Sequence, residues 1–175
     1  RSPDTITPGA ANVFVLHEEV VIDEIMFRPP AVTAADGSLV KSTLEWIELH
    51  NRSAKPVDLG GYQLVDAIEY TIPAGVTLPP SGYLVVTRDV EAMKVAYPAL
   101  ASAGPSELLG NFKGTLANSG ETIELRDACG NRVDAVHYHG DGRWPELASG
   151  GGSSLELRDP RADNGVAEAW AASDE

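Results

Sequence analysis

The chain has 175 residues and a formal net charge of −13, from 26 acidic and 13 basic residues. The negative charge and the absence of a cluster of lysines and arginines, which are scattered singly, both argue against binding to nucleic acid or to an anionic membrane surface. No run of about 18 apolar residues is present, which argues against membrane insertion, and the single cysteine, Cys129, excludes an intrachain disulfide and a four-cysteine zinc site.

Short strands are predicted wherever apolar residues alternate or cluster between Gly, Pro and Asn turns. In chain order they are residues 13–16, 20–27, 44–50, 62–65, 68–72, 83–87, 122–125, 133–136 and 154–157. In the strand over 44–50, Ile47 and Leu49 are expected on one face and Trp46 and Glu48 on the other.

The remaining segments are predicted as one helix, several loops and two ends. Asp89 can cap a short helix over residues 90–97, which Pro98 stops. The loops are a polar one (31–43), a flexible one (99–111) and a Gly-rich one (140–152), whereas residues 1–12 read as linker and 159–175 as a frayed tail with Trp170 as an anchor. Many short strands and one helix indicate an all-β fold, an antiparallel β-sandwich.

A family resemblance rests on segments that occur in one order along most of the chain. They are residues 22–29 (IDEIMFRP), 45–51 (EWIELHN), 56–64 (PVDLGGYQL), 70–75 (YTIPAG), 78–86 (LPPSGYLVV), 116–121 (LANSGE), 133–134 (VD), 144–145 (WP) and 154–160 (SLELRDP). With these segments the sequence resembles the lamin tail domain in its bacterial form. The resemblance implies an immunoglobulin-like β-sandwich without catalytic residues.

The resemblance also implies where the domain works and how the chain is divided. Bacterial members are generally appended to large secreted or surface proteins, so an extracellular or cell-surface location is expected. The expected partners are another protein or neighbouring domains of the same parent chain. We expect a linker or edge segment from a preceding region over residues 1–18, the lamin-tail-like domain over 19–160, and a C-terminal tail or linker over 161–175.

The best metal-like pattern is a pair of histidines followed by an aspartate. His137 and His139 share a face of a predicted strand, so both imidazoles can reach one ion beside Asp141. Ordinary exposed histidines are the preferred interpretation, because no third ligand has the right spacing. Asp159 and Asp163 offer oxygen ligands to calcium, but no EF-hand spacing is present and a capping turn is preferred. No cofactor is therefore expected, and calcium is the ion to test.

Enzymatic chemistry is not expected from this sequence. Glu45 and Glu48 are predicted on opposite faces of one strand, and the adjacent Asp23 and Glu24 have the same problem, so neither forms a glycosidase pair. No nucleophile, base and orienting group occur together. We therefore expect a non-catalytic structural or interaction module of a larger secreted or cell-surface bacterial protein.

A ligand-binding module for a glycan or calcium is the alternative function. Five aromatic residues are candidates for a sugar-stacking platform: Trp46, Tyr62, Tyr83, Tyr138 and Trp144. Packing in the core or at a sheet edge is the more common role of such residues in a small β-sandwich.

Overall fold

The structure, a computed structural model, describes residues 18–174, so the predicted linker over 1–12 and strand over 13–16 lie outside the described residues. Its strands are β1 (Val20–Met26), β2 (Val32–Thr33), β3 (Leu39–Val40), β4 (Trp46–Asn51), β5 (Val57–Asp58), β6 (Gln63–Asp66), β7 (Ile68–Thr71), β8 (Thr77–Leu78), β9 (Tyr83–Thr87), β10 (Leu108–Gly110), β11 (Lys113–Gly114), β12 (Gly120–Arg126), β13 (Arg132–His139), β14 (Leu155–Leu157) and β15 (Trp170–Ala172). The α-helix within these residues is α1 (Val90–Ala96), and short 3-10 turns cover Pro98–Leu100, Glu146–Ala148 and Ala167–Ala169. Within residues 18–174, no helix has the length and apolar character needed to cross a membrane.

Two large sheets form an immunoglobulin-like β-sandwich. One has six strands in the order β10-β9-β4-β1-β14-β15, and the other has five in the order β11-β7-β6-β12-β13. Neighbouring strands are antiparallel except β9 and β10, which are parallel. Two small ribbons, β2–β3 and β5–β8, complete the strands. The predicted all-β sandwich with one short helix is confirmed.

The core lies between the two large sheets. Ile47 and Leu49 point into it from β4, as the alternation predicts, and both are fully buried. Leu64 and Ile123 face them from the second sheet and are also fully buried. Burying each such side chain contributes about 2 kcal/mol, so this layer supplies the main driving force for pairing the sheets.

The helix forms where its cap predicts it. Asp89 accepts a hydrogen bond from the backbone N–H of Ala92 at 3.0 Å, which satisfies one of the free donors at the helix start. Met93 packs from the helix with Met26, Trp46 and Leu108 in a second apolar cluster on the outer side of the six-stranded sheet. The helix therefore covers one end of that outer side.

Two predicted loops contain strands. Residues 31–43 form the hairpin of β2 and β3, in which Val32 lies opposite Val40. The loop over 99–111 ends in β10, which adds to the edge of β9. A side chain at Gly110 would place a Cβ 2.5 Å from the Thr87 carbonyl oxygen, so glycine permits this close approach. Periodicity missed these strands because two or three residues are too few to show it.

The prediction of a frayed tail after residue 159 is wrong for its second half. Residues 170–172 form β15 and pair with β14, so they extend the six-stranded sheet. Trp170 is 1% exposed, which confirms its role as an anchor. Its indole Nε1 donates to the carbonyl oxygen of Asn164 at 2.9 Å, and its ring lies 6.0 Å from that of Trp144. Burial of this one large side chain explains the order of the segment, whereas the expected domain division stays a prediction.

Candidate functional site

The two histidines identified from the sequence lie together on β13. His137 and His139 are exposed, and their ring centroids are 4.6 Å apart. His137 Nδ1 lies 2.7 Å from the hydroxyl of Thr122 on β12, and Asp141 is exposed just after the strand. Across residues 18–174, no three His, Cys, Asp or Glu side chains are grouped so that they could hold a metal ion. A metal site at these residues stays a prediction.

The two aspartates that follow β14 bind their own turns. Asp159 Oδ1 accepts a hydrogen bond from the backbone N–H of Arg161 at 2.9 Å. Asp163 Oδ1 accepts one from the backbone N–H of Gly165 at 3.0 Å. These bonds are the turn-stabilising role preferred from the sequence, and a calcium site at these residues stays a prediction.

The candidate aromatic platform does not assemble on the surface, and four of its five residues have the core packing preferred from the sequence. Trp46, Tyr62, Tyr138 and Trp144 are between 0% and 9% exposed, so their rings are packed inside the protein. Tyr83 is different, because it is 48% exposed on the outer side of the six-stranded sheet, where its ring stacks on His50 at a centroid distance of 4.3 Å. A single exposed ring does not make a platform for a sugar chain.

A β-bulge in β1 decides which acidic side chains share a face. The strand is in register with β4 up to Ile22 and again from Glu24, so Asp23 is the extra residue. Ile22 and Ile25 are fully buried in the core. Asp23 and Glu24, the two residues that separate them, both interact with Glu156 on the outer side of the sheet. The expectation that Asp23 and Glu24 lie on opposite faces is wrong, because it assumed regular alternation through β1.

Asp134 of the opposite sheet holds the backbone at this bulge. Its Oδ2 accepts hydrogen bonds from the backbone N–H of Ile22 at 2.7 Å and from Asn164 Nδ2 at 2.8 Å. Its Oδ1 accepts a hydrogen bond from the backbone N–H of Ala135 at 2.9 Å. Because Ile22 has no partner in the register of β14, this carboxylate replaces a strand-to-strand bond and joins the two sheets.

Four acidic residues are neighbours on the outer side of the six-stranded sheet. Glu24 lies directly opposite Glu48 on β4 and directly opposite Glu156 on β14. Such cross-strand neighbours have Cβ atoms about 5 Å apart, so three carboxylates form a row across three strands, with Asp23 beside them. We call this set, Asp23, Glu24, Glu48 and Glu156, the acidic face.

Burial and mutual repulsion make these groups hold protons more tightly. Burial, followed by the neighbouring carboxylates with Glu24 first, raises the pKa of Glu48 to about 8. Burial and then Glu156 raise the pKa of Asp23 to about 6. Burial also raises the pKa of Glu24, although a hydrogen bond from Ser154 opposes this effect. The carboxyl groups of the acidic face therefore resist carrying their full negative charge at neutral pH.

Three buried polar atoms on this side of the sheet have no hydrogen-bond partner among residues 18–174. They are Asp23 Oδ1, Trp46 Nε1 and His50 Nδ1. Asp23 is 7% exposed, and Trp46 and His50 precede and follow Glu48 by two residues along β4. A buried polar atom without a partner costs about 1–3 kcal/mol, so these three atoms have unmet hydrogen-bonding capacity beneath the outer side of the sheet.

Glu45 lies inside the domain, away from the acidic face. It is fully buried, and its Oε1 lies 2.7 Å from Lys41 Nζ. Its Oε2 accepts a hydrogen bond from the backbone N–H of Leu116 at 3.1 Å. Glu45 and Glu48 thus occupy opposite sides of the sheet, as expected. Through its hydrogen bond with Leu116, Glu45 also holds the segment that leads to β12.

Replacing Glu48 by glutamine should stabilise the domain at alkaline pH. Since the folded-state pKa of Glu48 is about 8, against an ordinary value of 4.5, the folded state binds this proton more tightly than the unfolded state does. The resulting stability is complete below about pH 4.5 and is lost as pH rises through about 8. We expect Glu48→Gln to raise the free energy of unfolding by about 1–2 kcal/mol at pH 9, after allowance for solvent screening.

Urea denaturation at pH 4.5 and pH 9 measures this effect. At pH 4.5 the variant should gain nothing over the wild type, because Glu48 is already protonated there in the folded state. Glu146→Gln is the matched control, since Glu146 is exposed far along the chain, and it should change stability by less than about 0.5 kcal/mol at either pH. A loss of stability for Glu48→Gln at pH 9 would mean that the carboxylate has a cationic partner.

Sequence reasoning missed the acidic face for two identifiable reasons. The bulge at Asp23 cannot be read from alternation, and the row needs the strand order that brings β14 beside β1. One signal was available: Glu48 and Glu156 each lie between two apolar residues of a strand, and Glu24 lies in the middle of the strand predicted over 20–27. Charged residues at the centres of three strands indicate a shared surface.

Comparison with known proteins agrees with this architecture. The family model described as Lamin Tail Domain matches residues 17–140, a range that includes β1 to β13. No curated protein matches the chain. Since the model covers well over half of the sequence and the fold is an immunoglobulin-like sandwich, the chain belongs to the lamin tail domain family.

Proposed function

We propose that this domain is a non-catalytic structural and interaction module of a larger secreted or cell-surface bacterial protein, in which it makes contacts with proteins or with a surface. The family match over residues 17–140 carries the proposal, because this family consists of immunoglobulin-like structural domains. The polar residues at the centre of the fold support it, since Glu45 and Asp134 bind backbone groups that hold the sheets and connections together.

The surface offers apolar groups that suit protein contacts. The β2–β3 hairpin exposes three aliphatic side chains, with Val32 44%, Leu39 75% and Val40 41% exposed. Val95 at the helix is 82% exposed, and Leu147 in the 140–152 loop is 61% exposed. Exposed aliphatic groups on loops and hairpins favour docking of a partner over chemistry. The glycan or calcium alternative has less support, because four of its five candidate aromatic rings are buried.

The experiment is a deletion of residues 18–174 from the full-length protein, with cell fractionation and an activity assay of the purified protein. We expect the intact protein in the extracellular or surface fraction, and we expect the deletion to reduce its retention on that surface or partner. Any catalytic activity of the parent should be unchanged per molecule in solution. A deletion protein that still folds and reaches the surface normally, but has lost its chemistry, would contradict the proposal.

A further inference from the structure

The acidic face has the properties of a binding site for a cationic group. Its members range from the buried Asp23 through the half-buried Glu24 and Glu48 to the exposed Glu156, so a ligand can enter from the Glu156 side. The charged neighbours that act on Glu48 are all carboxylates, namely those of Glu24, Asp23 and Glu156. Carboxyl groups are therefore concentrated at the centre of the sheet without a counter-charge among these interactions.

The unpartnered oxygen of Asp23 is a second observation that points to a ligand. Asp23 is 7% exposed, and its Oδ1 has no hydrogen-bond partner among the described residues. Its carboxylate raises the pKa of Glu24, Glu48 and Tyr83, so it lies within electrostatic reach of the acidic face. A donor placed there would satisfy this oxygen and offset the repulsion between its neighbours.

We propose that the acidic face binds an arginine side chain presented by a basic segment of a protein partner. The planar guanidinium fork donates to two carboxylates at once, which suits Glu24 with its opposite neighbours Glu48 and Glu156. The ring of Tyr83 is half-exposed near these carboxylates, and because one face stacks on His50, a guanidinium can stack on the other face. The inference rests on the proposed interaction function and names its surface and partner chemistry.

Other occupants fit this surface less well. A metal ion needs ligands arranged so that at least three reach it together, and no His, Cys, Asp or Glu side chains in residues 18–174 are arranged in this way. A second copy related by two-fold symmetry would place one acidic face against another, where like charges repel. The formal net charge of −13 also attracts a basic partner and steers it toward the domain.

The test is the binding of a fluorescent ten-residue peptide of alternating glycine and arginine, followed by anisotropy in 150 mM salt. The double variant Glu24→Gln with Glu48→Gln should weaken binding at least about tenfold. The matched double variant Glu91→Gln with Glu146→Gln replaces two carboxyl groups at exposed positions outside the acidic face, and it should bind within about twofold of the wild type. A peptide with citrulline in place of arginine should not bind.

Several results would overturn the inference. Equal weakening by both double variants would mean that only net charge matters. Absence of peptide binding, together with a calcium-induced rise in Tm that requires Glu48, would assign the surface to a metal. A dimer in sedimentation that dissociates in the Glu24→Gln, Glu48→Gln variant would assign it to a second copy.

Misfolding is separable from loss of the site. The variant at the acidic face should melt at or above the wild-type temperature at pH 8, so weaker binding by it cannot be attributed to unfolding. A negative peptide result leaves the retention measured with the 18–174 deletion unchanged, so failure of the arginine site and failure of the proposed function give different results.

Discussion

Replacing Asn51 by aspartate should destabilise the domain by about 4 kcal/mol at pH 7. Asn51 is fully buried at the end of β4, and its Nδ2 donates to the carbonyl oxygens of Lys55 at 2.8 Å, Leu78 at 3.1 Å and Pro79 at 2.9 Å. Its Oδ1 accepts a hydrogen bond from the backbone N–H of Ser53 at 3.0 Å. Aspartate keeps the shape but directs a buried, negatively charged oxygen at three carbonyl oxygens, with no proton to share.

Urea denaturation monitored by circular dichroism measures this change. The penalty should shrink as pH falls toward 4, because protonation of the new carboxyl group restores a donor and removes the charge. Asn118→Asp is the control, since Asn118 is exposed, and it should alter stability by less than about 0.5 kcal/mol. If the free energy of unfolding of Asn51→Asp lay within about 1 kcal/mol of the wild-type value at pH 7, the three hydrogen bonds from Asn51 to carbonyl oxygens would not be what stabilises the segments around residues 55 and 79.

Replacing Asp134 by alanine should lower the free energy of unfolding by about 3 kcal/mol. The change leaves two donors without their shared acceptor, the backbone N–H of Ile22 and the side-chain amide of Asn164. It also removes the bond across the sandwich that holds the bulge in β1. The Asp134→Asn variant should lose less, because its amide oxygen, in the place of Oδ2, can still accept from Ile22 and Asn164, while only the bond from the backbone N–H of Ala135 to Oδ1 is lost.

Thermal and urea unfolding of the two variants, beside Asp141→Asn, gives the comparison. Asp141 is exposed, so its amide variant should match the wild type. The expected order of stability is wild type, then Asp134→Asn, then Asp134→Ala. A reversed order of the two Asp134 variants would show that the carboxylate is not needed as an acceptor at the bulge. Slower hydrogen exchange at Ile22 in the wild type than in Asp134→Ala would locate the effect at that backbone group.

Alternation predicted the strands whose faces differ strongly in polarity. β9 forms over Tyr83–Thr87, the range predicted, because its apolar run lies between a Pro-Gly turn and a helix cap. The edge strands β10 and β15 escaped prediction since three residues show no period, and their order comes from pairing with β9 and β14. Local sequence thus predicted the centre of each sheet better than its borders.

The candidate sites divide in the same way. The pairing of His137 with His139 could be predicted because both lie on one strand, two residues apart. The meeting of Glu24 with Glu156 could not, because these residues are far apart in the chain and their contact depends on strand order. The sequence could not predict which aromatic rings are exposed, since an aromatic residue in the core and one in a sugar-binding platform look the same in sequence.

The extra residue in β1 has a consequence for how the length of this chain can vary. Removing one residue from a central strand normally turns every later side chain to the wrong side. Here Ile22 and Glu24 are aligned with Leu49 and Glu48, which are adjacent on β4. A deletion of Asp23 would therefore leave Ile22 and Ile25 facing inward and the register continuous. The centre of the sheet can therefore gain or lose a charged residue by insertion or deletion while the same side chains of β1 keep facing the core.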